Sequence, residues 1–172
     1  MIPYAVLLNT AHFYDIECRG NFKAGEARMR KCLDIRLKHL KPDDESICAA
    51  YVNMGNVMGS SYRFEEAVAW FKKAENLVVM HKEWPLKKLL VDMNASRVYY
   101  HMGQYEESAR RLDAALKEAA RFKSVFWAVR SALPYIIWRR LVYANSSLAQ
   151  IFHTRRFISG LEILLRPENV AN

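Results

Sequence analysis

Residues 62–75 read YRFEEAVAWFKKAE, with apolar side chains at Phe64, Ala67, Phe71 and Ala74. Steps of three and four residues return to one face of an α-helix. The segment is therefore an amphipathic helix whose buried face alternates small and large. Ala67 and Ala74 let a partner helix come close, and Phe71 fills the space between them. Deep burial of such a ring stabilises by about 2–3 kcal/mol.

The pattern recurs. GNFKAGEARMRKCLDI places Phe22, Gly25, Met29 and Cys32 at the same offsets, and GQYEESARRLDAALKE places Tyr105, Ser108, Leu112 and Ala115 there. The leading aromatics Phe22, Phe64 and Tyr105 lie 42 and 41 residues apart. A second amphipathic segment precedes each: PYAVLLNTAHFYDI, SICAAYVNMGNVMG and LLVDMNASRVYYHMG. Two helices per period of about 40 residues mark an α-solenoid, whose pairs stack because one pair cannot bury its apolar face alone.

Turn chemistry agrees. Pro42 stops one helix, and Asp43, Asp44 or Ser46 caps the next. Pro85 suits a first helical turn, and Gly20, Gly59 and Gly103 are placed at or near the turns inside the pairs. Gly25 and Ser108 stand where the motif has alanine, which predicts looser packing there.

The 172 residues are 52% hydrophobic and 26% charged, with only 6 Gly and 5 Pro. That is the composition of a folded helical chain rather than a disordered one. The net charge of +8 is lopsided: residues 1–120 carry 18 Lys+Arg against 16 Asp+Glu, residues 121–172 carry 8 against 2. Three cysteines (Cys18, Cys32, Cys48) without CxxC spacing predict core thiols in a reducing compartment, not a disulfide framework or zinc site. The N-terminus lacks the basic flank of a signal peptide. The most apolar late stretch, LPYIIWRRLVYANSSLAQIF, is broken by Arg139 and Arg140 and does not suit a membrane span. A cytoplasmic protein is expected.

These motifs resemble the tetratricopeptide repeat (TPR), more narrowly the long repeats of kinesin light chains. The phrase CLDIRLKHLKPDDESICAAYVNMGNV carries the closer likeness: a helix ending in a leucine-isoleucine-arginine phrase, a charged linker, then a helix bearing an asparagine. The resemblance covers about residues 4–122. It implies an all-α, right-handed α-solenoid of about three stacked antiparallel helix pairs over residues 1–122, with repeats at about 4–40, 44–82 and 86–121. Residues 123–172 do not keep the period. Tyr105 to Phe157 spans 52 residues and Leu133-Pro134 interrupts a helix, so this is a divergent basic helical tail, a shifted capping pair or a degenerate fourth repeat.

Such repeats bind partners on a concave face lined by the first helix of each pair. Asn9, Asn53 and Asn94 recur there, followed three residues later by His12, Asn56 and Arg97, with His101 one turn further on. An asparagine amide both donates and accepts, so a ladder of them can pair with an extended peptide of any sequence. The resemblance implies that use for Asn53 and Asn94. Asn9 fits less well, because it precedes Phe22 by 13 residues where Asn53 and Asn94 precede their aromatics by 11. The same residues could instead bond neighbouring repeats, and His12 and His101 read more simply as packing residues. Asn53, Asn56, Asn94, Arg97, Asn9 and His101 are the groove candidates for a protein or peptide partner.

Other chemistries find less support. No HExxH pair, GxxxxGK[ST] or GxGxxG occurs, so no metal, nucleotide or other cofactor is expected and no enzyme. Glu65-Glu66 and Glu106-Glu107 stand at predicted helix N-termini, where the dipole favours them. A nucleic-acid reading rests on Arg28, Arg30, Lys31, Arg36 and Lys38, and on Arg139, Arg140, Arg155 and Arg156 in the tail, with Trp138, Tyr143 and Phe157 as stacking rings. A further alternative is a piece of a larger TPR-containing signalling receptor, whose exposed terminal repeat would self-associate.

Overall fold

The 62–75 stretch forms the start of a helix spanning Phe64–Met80 (α4), in which Ala67, Phe71 and Ala74 are all buried. Its antiparallel partner α3 covers Glu45–Ser60 and buries Ile47, Cys48, Ala50, Val52, Met54, Gly55, Val57 and Met58. The computed structural model describes residues 1–119. Around α3 and α4 stand α1 (Ile2–Phe13), a π-helical turn (Tyr14–Cys18), α2 (Phe22–His39), α5 (Pro85–His101) and α6 (Tyr105–Ala119). Every regular element among the described residues is helical.

The helices pair as α1 with α2, α3 with α4 and α5 with α6, and the pairs stack through α2 on α3, α4 on α5 and α3 on α5. One core runs through the stack, from Ala5 and Leu8 through Met29, Cys32, Met54 and Phe71 to Val91 and Val98. The small-large alternation works as the pattern predicts. The Phe71 ring fills the notch at Gly55, where an added Cβ would stand 2.6 Å from its Cε1.

Helix limits follow local chemistry. α2 ends at His39, ahead of Pro42. The Asp44 carboxylate accepts from the Ser46 amide at 2.7 Å and caps α3. Pro85 opens α5, where its missing N–H leaves nothing unpaired. Glu65, Glu66, Glu106 and Glu107 occupy first turns.

Gly59, next to last in α3, stands beside the turn as expected and packs against Val98; other expectations are corrected. The left-handed turn position, filled by Gly20 (φ +61°) and Gly103 (φ +75°) in the other pairs, is taken by Tyr62 at φ +60°. Packing at Gly25 and Ser108 is close, not loose. The Ile16 side chain fills the Gly25 notch, and Ser108 Oγ donates to the Ser96 carbonyl at 2.8 Å. Cys32 and Cys48 are buried as predicted, but Cys18 is exposed, because the π-helical turn carries it off the core face. The chain beyond 119, with Arg139, Arg140, Arg155 and Arg156, lies outside the described residues.

Candidate functional site

The first helices α1, α3 and α5 carry four of the six groove candidates toward one another, while Asn94 bonds within α5 and His101 packs on α4. Asn53 Nδ2 on α3 donates to Asn9 Oδ1 on α1 at 2.7 Å. Arg97 Nη2 on α5 donates to Asn56 Oδ1 on α3 at 3.2 Å. Both bonds cross a pair boundary, so polar side chains join α1 to α3 and α3 to α5 and mark a polar track on these helices. Asn94 Nδ2 donates to the Leu90 carbonyl of its own helix at 2.7 Å. Asn9, Asn53, Asn56 and Asn94 are half-buried and Arg97 is exposed. An asparagine amide has two donors and two acceptor lone pairs. Bonding between repeats therefore orients these amides without exhausting their capacity.

The histidines divide. His101, at the end of α5, stacks parallel on Phe64 with centroids 5.8 Å apart, at the margin of the track. His12 is buried and turned away from it. Its Nδ1–H donates to the Asn9 carbonyl. Burial pushes its pKa below the ordinary value, against the opposing pull of that carbonyl and of Asp15. His12 thus shares a three-residue spacing with Asn56 and Arg97 but not their exposure. The π-helical turn between Asn9 and Phe22 takes up extra residues. It explains the 13-residue spacing, and the buried residues Asp15 and Ile16 belong to it.

The opposite layer is tied by ions that the period search missed. Arg63, ahead of α4, bonds Glu26 on α2 at 2.7 Å and Glu66 at 2.6 Å. On α6, Arg111 is buried yet pairs with Glu75 on α4, with Glu107 at 2.8 Å and with Asp92 at 3.5 Å. Burial opposes the Arg111 charge, but Glu75 and Glu107 outweigh it and raise its pKa. Glu26–Arg63 and Glu75–Arg111 are separated by 37 and 36 residues, unlike the 41–42-residue spacing of the apolar motif. Their members stand at different positions in each repeat, so the period carries no signal for them.

The basic cluster on α2 is engaged in packing. Arg28 pairs with buried Asp15, Arg30 with Glu26 at 2.7 Å, and Lys31 lies 5.2 Å over the Tyr4 ring. Arg36 is buried and donates to the Ser46 carbonyl across the α2–α3 linker. Arg28, Lys31 and Arg36 thus tie elements together, whereas Arg30 pairs within α2 and Lys38 is exposed. A cleft of about 630 Å³ opens elsewhere, between α4, α5 and α6, lined by Val79, Trp84, Lys88, Arg111 and others, and by none of the groove candidates. Among the described residues no group of three or more His, Cys, Asp or Glu could hold a metal ion, and no helix is long and apolar enough to cross a membrane.

No family model and no curated protein matches the chain. Among solved structures, it is similar to one described as the nearly identical TPR-like repeats of a Podosopora anserina kinesin light chain. The two superpose with a TM-score of 0.60 at 13% identity, over 98% of this chain and 91% of the other. The fold is thus a TPR-like helical repeat of the kind found in that kinesin light chain.

Proposed function

We propose that the chain is a non-catalytic scaffold that holds an extended segment or a helix of a partner protein against the polar track of α1, α3 and α5, in the manner of a cytoplasmic adaptor. The observation that carries this reading is the row itself: amides on three successive first helices, linked across pair boundaries by Asn53–Asn9 and Arg97–Asn56. Asn53, Asn56, Asn94 and Arg97 contact the ligand, with Asn9 and His101 at the margins. Amide recognition reads backbone, so the partner is selected by extended shape more than by sequence. Arg97 favours a neutral or acidic segment over a basic one.

Affinity capture from nuclease-treated lysate tests it, comparing the wild-type chain with an Asn53→Ala/Asn94→Ala/Arg97→Ala variant of unchanged melting temperature. Proteins held by the wild type and lost by the variant support the groove. Equal capture by both contradicts it. Loss of all binding after nuclease would favour the nucleic-acid reading, with the basic tail at Arg139, Arg140, Arg155 and Arg156 as the contact.

A further inference from the structure

Among the described residues nothing covers the apolar outer face of α1. Val6, Leu7 and Phe13, with Tyr14 just beyond the helix, are 54%, 64%, 46% and 60% exposed. α3, sandwiched between the pairs on either side of it, buries eight residues, whereas α1 buries only Ala5, Leu8 and His12. Single exposed apolar residues need no explanation, but a contiguous set on one helix marks an interaction site.

The layout of this face indicates its occupant. Pro3, Leu7, Thr10 and Tyr14 are exposed at steps of four, three and four, the spacing by which one helix interdigitates with another. Thr10 is the small residue at the middle, its hydroxyl satisfied by the Val6 carbonyl at 3.2 Å. Three and four residues before it stand the aliphatics Val6 and Leu7; three and four after it stand the rings Phe13 and Tyr14. Turned antiparallel about Thr10, a second copy of α1 sets its aliphatic end against the aromatic end of the first. Large side chains then meet on either side of a close approach at Thr10, the same small-large logic that seats Phe71 at Gly55.

Charge allows the same pairing. α1 contains no Asp, Glu, Lys or Arg, so two copies meet without like-charge repulsion, and antiparallel helices oppose their dipoles. We infer that this chain forms a closed two-fold homodimer through the outer face of α1, with Thr10 near the axis. An isologous contact of this kind uses one patch on both subunits and stops at two. It leaves the α1–α3–α5 polar track open and does not depend on the groove reading.

Sedimentation equilibrium of the full chain over a wide concentration range tests the inference. The expected mass rises from 20.1 kDa to twice that value and no further. Leu7→Glu, at a position outside the core, should weaken the dimer by more than about tenfold, because it places an unpaired carboxylate in each half of the contact. Its far-UV helical signal should be unchanged. Thr10→Cys in a Cys18→Ser background should form a covalent dimer on mild oxidation, whereas Val79→Cys in that background should not. A monomer at every concentration overturns the proposal. So does a mass climbing past two copies, which means head-to-tail stacking, and so does a dimer indifferent to Leu7→Glu.

Discussion

The Phe71 ring lies against Gly55 so closely that a Cβ at Gly55 would stand 2.6 Å from ring atom Cε1 and 2.7 Å from Cζ. Phe71 is 2% exposed, so the ring has nowhere to retreat. Gly55→Ala gains about 1 kcal/mol of helix propensity but incurs about 1–3 kcal/mol of overpacking. The substitution should be net destabilising, by up to about 2 kcal/mol. Phe71→Ala empties the notch and should cost about 3–5 kcal/mol. Both are read as a lower urea midpoint at unchanged slope; a neutral Gly55→Ala would mean that the notch is wider than described.

Tyr62 holds a left-handed backbone where the other two turns have glycine. That conformation costs a non-glycine residue about 1–2 kcal/mol, partly offset by the greater unfolded-state entropy of glycine. Tyr62 is 78% exposed and touches Phe64 edge-on, with centroids 6.0 Å apart. Tyr62→Gly should therefore stabilise by about 0.5–1 kcal/mol and raise Tm by roughly 1–4 °C. A lower Tm would show that the ring contact outweighs the backbone strain.

Most of the fold was legible in the sequence because it repeats. Phe64, Ala67, Phe71 and Ala74 have counterparts at a spacing of 41–42 residues; the last three positions of each set are buried, whereas the leading aromatics Phe22 and Tyr105 are exposed and Phe64 is half-buried. What departs from the period could not be read this way. The π-helical turn carries Cys18 outward, while His12 lies on the buried face of α1 with Ala5 and Leu8. Arg111 looks like a surface residue in the sequence and is buried only because Glu75, a helix away, meets it. Of the candidate track, the positions were legible, but the bonds Asn53–Asn9 and Arg97–Asn56 depend on how the pairs stack.

His12 makes stability depend on pH. Its folded pKa lies below the ordinary 6.5, chiefly through burial. The unfolded chain therefore binds the proton first as pH falls. Stability from this group is fully present above about pH 6.5 and declines as pH drops through the lowered folded value. The carboxylates Glu66, Glu83 and Glu107, all with lowered pKa, add their own loss only below about pH 4.5. Denaturation midpoints between pH 7 and 5 should fall for the wild type and stay flatter for His12→Gln. Parallel curves would remove His12 as the cause.

The thiols should separate by reactivity. Burial pushes Cys48 up to about 11 and raises Cys32 as well, while Cys18 is exposed. Only thiolate reacts. A thiol reagent at neutral pH should label one cysteine in the native chain and three after denaturation, with Cys18→Ser abolishing the native signal. Rapid native labelling of Cys32 or Cys48 would contradict the described core.

The central claim is that amides on α3 and α5 hold a partner's backbone. Equilibrium titration of a captured partner segment against Asn53→Ala and Asn94→Ala, each folded as the wild type, tests it most directly. Each variant should lose about 0.5–1.5 kcal/mol of affinity, the net worth of a hydrogen bond, with little dependence on salt. Unchanged affinity in both variants, or an affinity that collapses with added salt as counterion release requires, would contradict it.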